Sequence, residues 1–295
     1  MAILIDENSK VLIQGITGKE GARCLKFMQD YGTKVVCGVT PGKGGQEVEG
    51  VPVYNSIKEA LADFPDINVS VVFVPPRFGK GAMLEAIENK IPLINVITEN
   101  IPILDTAYAI KRAKDEGVTI IGPTSIGIIS PGKSKIGAIG GNTNKAYVPG
   151  NIGIISKSGG MSNETAYIFK NAGMGQSTVV GIGGDVVNGF SFKDALEMFE
   201  NDPETHAVAI FGEIGGTYEE EAAEFIKNGG FTKPVAAFIS GKFASNLPNV
   251  TLGHAGAIVE GNRGTRESKV KALEEAGVMI AEVHHELVDL IKSKL

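Results

Sequence analysis

The chain has 295 residues, 43% of them hydrophobic, and 28 Lys+Arg against 34 Asp+Glu give it a net charge of −6. That length suggests about two domains, and the acidic balance argues against nonspecific nucleic-acid binding, which runs on surplus positive charge. No apolar run approaches the ~18 residues of a membrane span, the first six residues show no leader pattern, and two cysteines, Cys24 and Cys37, cannot build a disulfide framework or a four-ligand zinc site, so a reduced cytoplasm is the expected compartment.

Short β-branched runs predict strands over 11–14, 34–39, 69–74, 93–97 and 118–121, and again over 151–155, 177–182, 207–211, 234–239 and 278–281. Each is nearly continuous in apolar residues, as suits strands buried on both faces of a parallel sheet. Segments with helical spacing, such as 195–199 and 219–226, lie between them. This alternation predicts an α/β fold in which both sheets are mainly parallel. The Gly-, Asn- and Pro-rich stretch 137–150 reads as a linker, leaving one domain over 1–136 and a second over 151–295.

The first strand runs into Gly15, Gly18 and Gly21 and then a helical pattern. Glycines at a strand-to-helix turn let the backbone approach a phosphate, and the helix N-terminus supplies N–H donors and a favourable dipole. The spacing is G-x-x-G-x-x-G rather than the dinucleotide G-x-G-x-x-G. The second strand ends in a turn carrying Lys43 among glycines, with no Asp or Glu to meet ribose hydroxyls. A lysine there suits an extra phosphate, which fits either NADP or coenzyme A with its 3′-phosphate; a solvated loop lysine fits as well.

In the second half, Ser156-Lys157-Ser158-Gly159-Gly160 follows a strand and opens a helix, a second possible anion cradle. Glu213 ends an apolar strand, where α/β sheets collect active-site groups. His254 stands in Gly253-His254-Ala255-Gly256-Ala257, where small neighbours let a large group reach the ring. A neutral imidazole can attack phosphorus and hold a phosphoryl group, provided a carboxylate fixes its tautomer. His206, His284 and His285 read as structural.

Together, Gln14-Gly-Ile-Thr-Gly18, the Val39-to-Gly45 turn, Ile97-Thr98-Glu99, Val180-Gly-Ile-Gly-Gly-Asp185, Gly212-Glu213-Ile-Gly-Gly216 and the histidine segment resemble the α subunit of succinyl-CoA synthetase. The resemblance implies a Rossmann-like CoA-binding domain followed by a flavodoxin-like ligase domain. It implies a β-type partner subunit that binds ATP and most of the Mg, and a phosphohistidine relay to a small-molecule acid. Carried over by position, Thr17, Gly18, Lys19, Glu20, Lys43, Ile97, Thr98 and Glu99 would contact coenzyme A. His254 would be phosphorylated, Glu213 would hold its ring, and Ser158, Gly159 and Gly160 would bind phosphate near the acid. No metal ligands are expected in this chain.

Three segments depart from that pattern. Gly-Pro-Asn-Cys-Pro-Gly is Gly122-Pro-Thr-Ser-Ile-Gly127 here, and the stretch before His254 lacks the usual Gly-Lys-Arg-Met. Ser-Arg-Ser-Gly-Thr-Leu-Thr-Tyr-Glu is Ser156-Lys-Ser-Gly-Gly-Met-Ser-Asn-Glu164, so Asn163 replaces a tyrosine of the acid site. The latter string and Lys135-Ile-Gly137 resemble ATP-citrate lyase, and the combination is similar to the small subunit of citryl-CoA synthetase. Citrate is therefore the expected acid and succinate the alternative. An NADP-linked oxidoreductase would explain Lys43 but leave the histidine segment idle. A CoA-sensing regulatory protein would leave His254 and Glu213 without a task.

Overall fold

The computed structural model describes residues 2–142, 145–242, 256–257 and 264–295. Its first half runs β1 (Lys10–Gln14), α1 (Lys19–Tyr31), β2 (Lys34–Val39), β3 (Glu47–Val48), β4 (Val51–Tyr54), α2 (Ile57–Asp63), β5 (Val69–Val72), α3 (Pro76–Glu88), β6 (Leu93–Val96), α4 (Ile103–Glu116) and β7 (Thr119–Ile121). It continues with β8 (Gly127–Ser130), β9 (Ser134–Gly137), β10 (Pro149–Ser156), α5 (Gly159–Asn171), β11 (Gln176–Gly181), α6 (Phe192–Glu200), β12 (Ala207–Gly212), α7 (Tyr218–Lys227), β13 (Val235–Ile239), α8 (Arg266–Glu275), β14 (Met279–Ile280) and α9 (Glu286–Lys292).

Two seven-stranded sheets result, ordered β3-β4-β2-β1-β5-β6-β7 and β14-β13-β12-β10-β11-β8-β9. The apolar runs form the central strands as expected: β5, β6, β11 and β12 are buried along their whole length. All pairings are parallel except β3 with β4, β8 with β11, and β8 with β9. In each sheet the chain winds out from one inner strand in both directions. That strand is β1, between β2 and β5, in the first sheet and β10, between β11 and β12, in the second. A crevice opens at the carboxyl ends of such strands, and ligands of open α/β sheets bind there.

The sheets part earlier in the chain than the sequence suggests. Residues 127–136 fall inside the segment assigned to the first domain and Gly137 opens the assigned linker, yet β8 pairs with β11 (Val179 opposite Ile129) and β9 pairs with β8, so both close the edge of the second sheet. Each of these strands has only four residues and a glycine at one end, so neither carries the long apolar signal of its neighbours. The hairpin also joins the two halves. One apolar cluster runs from Leu25 and Met28 of α1 through Ile128 and Ile136 to Ile155 and Val180. Buried Ser125 ties the sheets by accepting from Asn95 Nδ2 at 2.9 Å and donating to Gly181 O at 2.6 Å.

Candidate active site

The turn after β1 is built for close backbone approach. A Cβ at Gly21 would stand 2.4 Å from Gly15 O, and one at Gly15 would stand 3.0 Å from Phe73 O, so the turn is pressed onto the end of β5. Gly18 is the N-cap of α1 and brings no side chain to its first amides. Those N–H groups are therefore open to an anion at the positive end of the helix dipole. Thr17, Gly18, Lys19 and Glu20 surround this opening, Thr17 half-buried and the others exposed. Thr17 Oγ1 lies 3.3 Å from Thr40 Oγ1, which brings the Lys43 turn alongside. Lys43 is exposed. Its turn is stiffened from beneath, because Asn55 Oδ1 accepts from both Gly42 N–H and Gly44 N–H at 3.0 Å.

A cleft of about 430 Å³ runs from this region to the second sheet. Glu20 and Arg23 of α1, Phe73 and Val74 after β5, Ile97, Thr98 and Glu99 after β6, and Gly159 at the start of α5 all line it. Four residues assigned to coenzyme A and one assigned to the acid thus meet in one space. The Thr98 hydroxyl donates to Val74 O at 2.8 Å, which leaves its oxygen only as an acceptor toward the cleft. Sequence reasoning missed Arg23, Thr124 and Ser125 on the walls. They come from a helix flank and an irregular connection, and neither carries a periodic signal.

At the far end, α5 begins with Ser158, whose hydroxyl accepts from Met161 N–H at a long 3.4 Å. A Cβ built at Gly160 would meet no heavy atom of the described residues within 4 Å beyond its chain neighbours and the nearby backbone of its own helix. Asn163 is engaged within the chain: its Oδ1 accepts from Gly140 N–H at 3.1 Å and from the Tyr147 hydroxyl at 2.6 Å, and its Nδ2 donates to Gly159 O at 3.2 Å. Its carbonyl is thus occupied by the loop between β9 and β10, a role that spacing along one helix could not reveal.

Glu213 follows β12, half-buried, with its N–H donating to Glu219 Oε1 at 3.1 Å. His254 lies outside the described residues. Two described glycines of the same connection are anchored: Gly256 N–H donates to Gly184 O at 3.0 Å, and Gly264 O accepts from Gly215 N–H at 2.7 Å. The loops after β11 and β12 therefore hold this connection at two points. His284 packs against Phe211 and Phe238 and meets Thr165 Oγ1 at 2.8 Å. Burial lowers its pKa, in keeping with a structural role.

Residues 6–100 match the CoA binding domain family, and residues 155–286 match the CoA-ligase family. Over 292 residues the chain is 48% identical to succinate–CoA ligase (ADP-forming) subunit alpha 1 of Archaeoglobus fulgidus, covering 99% of this chain and 97% of that protein. The chain belongs to the succinate–CoA ligase α-subunit family. Within it lie other acids: an ADP-forming sulfoacetate–CoA ligase subunit of Bilophila wadsworthia is 42% identical over 295 residues, covering 100% of both chains. The structure of ATP citrate lyase from Methanothrix soehngenii in complex with citrate and coenzyme A superposes with a TM-score of 0.91 at 27% identity. That match covers 99% of this chain and 50% of the lyase chain. As a succinate–CoA ligase α-subunit family member, the chain is the α subunit of an ADP-forming acid–CoA ligase, with a CoA-binding half and a ligase half. The uncapped start of α1, the lysine turn and the cleft fit an elongated anionic thiol ester former such as coenzyme A. No helix among the described residues is long and apolar enough to cross a membrane.

Proposed function

We propose that this chain works with a β-type, nucleotide-binding partner to join citrate to coenzyme A by way of a phosphohistidine. The observation that carries the reading is the cleft that brings Glu20, Ile97, Thr98 and Glu99 into one space with Gly159. In this reading His254 takes the γ-phosphoryl group of ATP, and ADP leaves. Glu213 orients the ring by accepting the N–H of its far nitrogen, which fixes the neutral tautomer whose other nitrogen is free to attack. The turn at Ser158, Gly159 and Gly160 holds the phosphoryl oxygens while a carboxylate of the acid attacks phosphorus and His254 is released. The resulting acyl phosphate is attacked by the thiol, and inorganic phosphate departs. The protein's share of this chemistry is positioning and charge neutralisation. Mg enters with the nucleotide, on the partner. The free, buried thiols Cys24 and Cys37 suit a reducing cytoplasm.

The open space at Gly160 supports citrate, because the succinate pattern puts a threonine at that position. Asn163 contributes by holding the loop at Gly140 and Tyr147 rather than by offering its carbonyl to the acid. A second reading, succinate, is favoured by the 48% identity to the Archaeoglobus fulgidus subunit. The deciding measurement is ADP release by the complex with coenzyme A, ATP and each of citrate, succinate and sulfoacetate in turn. Citrate is expected to give the largest kcat/KM, with acid-labile label on His254 and none in His254→Ala. A wide preference for succinate or sulfoacetate overturns the choice of acid, and undiminished turnover in His254→Ala overturns the relay.

A further inference from the structure

Beneath the Glu213 loop lies a cluster of charges that no step above uses. Glu219, in the first turn of α7, is fully buried, and Lys157 and Lys269 close on it with side chains 6% and 0% exposed. Lys157 Nζ stands 3.1 Å from Glu219 Oε1, Lys269 Nζ bonds Glu219 Oε2, and Lys269 Nζ lies 3.3 Å from Glu220 Oε2. Burial would push the Glu219 carboxyl up, but the two ammonium groups outweigh it and hold it below the usual carboxylate range.

Most of the remaining hydrogen bonds of this cluster end on the backbone of one loop. Glu219 Oε1 accepts from Glu213 N–H at 3.1 Å, Lys157 Nζ donates to Gly215 O at 3.4 Å, and Lys269 Nζ donates to Gly216 O at 3.1 Å. The three charged residues come from three elements. Lys157 immediately precedes Ser158, the cap of α5; Glu219 opens α7; Lys269 lies on α8, beyond the connection that carries His254. The cluster therefore ties the phosphate turn, the Glu213 loop and the element after the histidine to a single carboxylate. Buried ion clusters are a poor source of stability, since apolar residues of similar volume often serve as well or better. What such residues could not do is hold three backbone groups of one loop at fixed points.

We propose that Glu219, gripped by Lys157 and Lys269, is a positioning residue of the phosphoryl relay, setting where Glu213 stands relative to the Ser158 turn. This rests on the ligase reading above and adds to it the residues that make the site rigid. Glu219 touches no reacting atom in this account and acts through Glu213.

The test uses the full chain with its β-type partner and three variants. Lys157→Met removes one arm of the grip, Lys157→Arg restores a donor, and Glu219→Asp keeps the charge but draws the carboxylate back from Glu213 N–H. Acid-labile labelling from γ-labelled ATP, coenzyme A binding by calorimetry and the thermal midpoint are read on each. Lys157→Met and Glu219→Asp are expected to slow labelling by roughly 10- to 100-fold, that is about 1.4–2.7 kcal/mol in the barrier. Coenzyme A affinity should stay within about twofold, and Lys157→Arg should recover most of the rate. Wild-type labelling rates in both variants overturn the proposal, as does parallel loss of labelling and coenzyme A binding. Unfolding of both variants makes the cluster a purely structural one and also overturns it. Absence of label on the wild-type complex overturns the ligase relay itself, and this inference with it.

Discussion

Asn55 holds the turn that carries Lys43. A lysine on a loose loop loses side-chain and backbone freedom when it meets a phosphate, but here the two flanking amides are already held by one carboxamide oxygen. Most of the ordering cost therefore falls on the side chain alone. Lys43→Ala is expected to weaken coenzyme A binding by about 1–2 kcal/mol, roughly 5- to 30-fold, at the low end of a charged hydrogen bond because the site is exposed. Dephospho-coenzyme A should lose far less. Equal losses for the two ligands, read by titration calorimetry, would show that Lys43 meets some group other than the 3′-phosphate. At the same scale, Asn163 shows how one amide can be claimed from within the chain: two donors converge on its oxygen and tie α5 to the loop between β9 and β10.

Among the elements, α5 has the most at stake in its first turn. Gly159 and Gly160 are poor helix formers, and an alanine at a compatible position usually stabilises by about 0.4–1 kcal/mol, largely by restricting the unfolded chain. Gly160→Ala is therefore expected to raise the thermal midpoint while lowering kcat/KM for the acid, because the new methyl group enters the space that the acid and phosphoryl group need. A variant that is both more stable and fully active would mean that this turn does not face the chemistry. The strands around it were legible in the sequence because central parallel strands are apolar on both faces, so their runs need no partner to be recognised. The glycine turn after β1, the Ser158 turn and Glu213 were legible because each follows such a run. The hairpin β8–β9 was not, because strands of four residues with glycine ends resemble connections. The partners of Asn163 and the grip on Glu219 were not, because each joins residues far apart in sequence that only the folded chain brings together.

Across the whole molecule, the seam between the two halves carries a buried cation. Lys135 is fully buried, its Nζ donates to Gly141 O at 2.5 Å, and it faces the Phe27 and Tyr31 rings of α1 at 5.5 and 6.0 Å. Burial draws its pKa down from 10.5 to about 8. Between those two values the folded chain binds fewer protons here than the unfolded chain, so this residue's contribution to stability rises with pH across the window. Denaturant midpoints of wild type and Lys135→Met should therefore diverge in favour of wild type between pH 7 and pH 10; the raised thiol of Cys37 acts alike in both and cancels, and the comparison is made in a Cys24→Ala background because the Lys135 charge draws the Cys24 thiol down. Parallel pH profiles would remove Lys135 from the account. The hairpin on which Lys135 sits also sets an order of events while the chain is being made. Ile129 leaves the ribosome fifty positions before Val179, the residue it pairs with. At roughly 5–20 residues per second, that is a wait of about 2.5–10 s. Throughout it β8 has nothing to bond along the edge that will meet β11, and the pair β8–β9 leans on the newly finished first half, so the nascent first domain acts as a holding surface for strands that belong to the second.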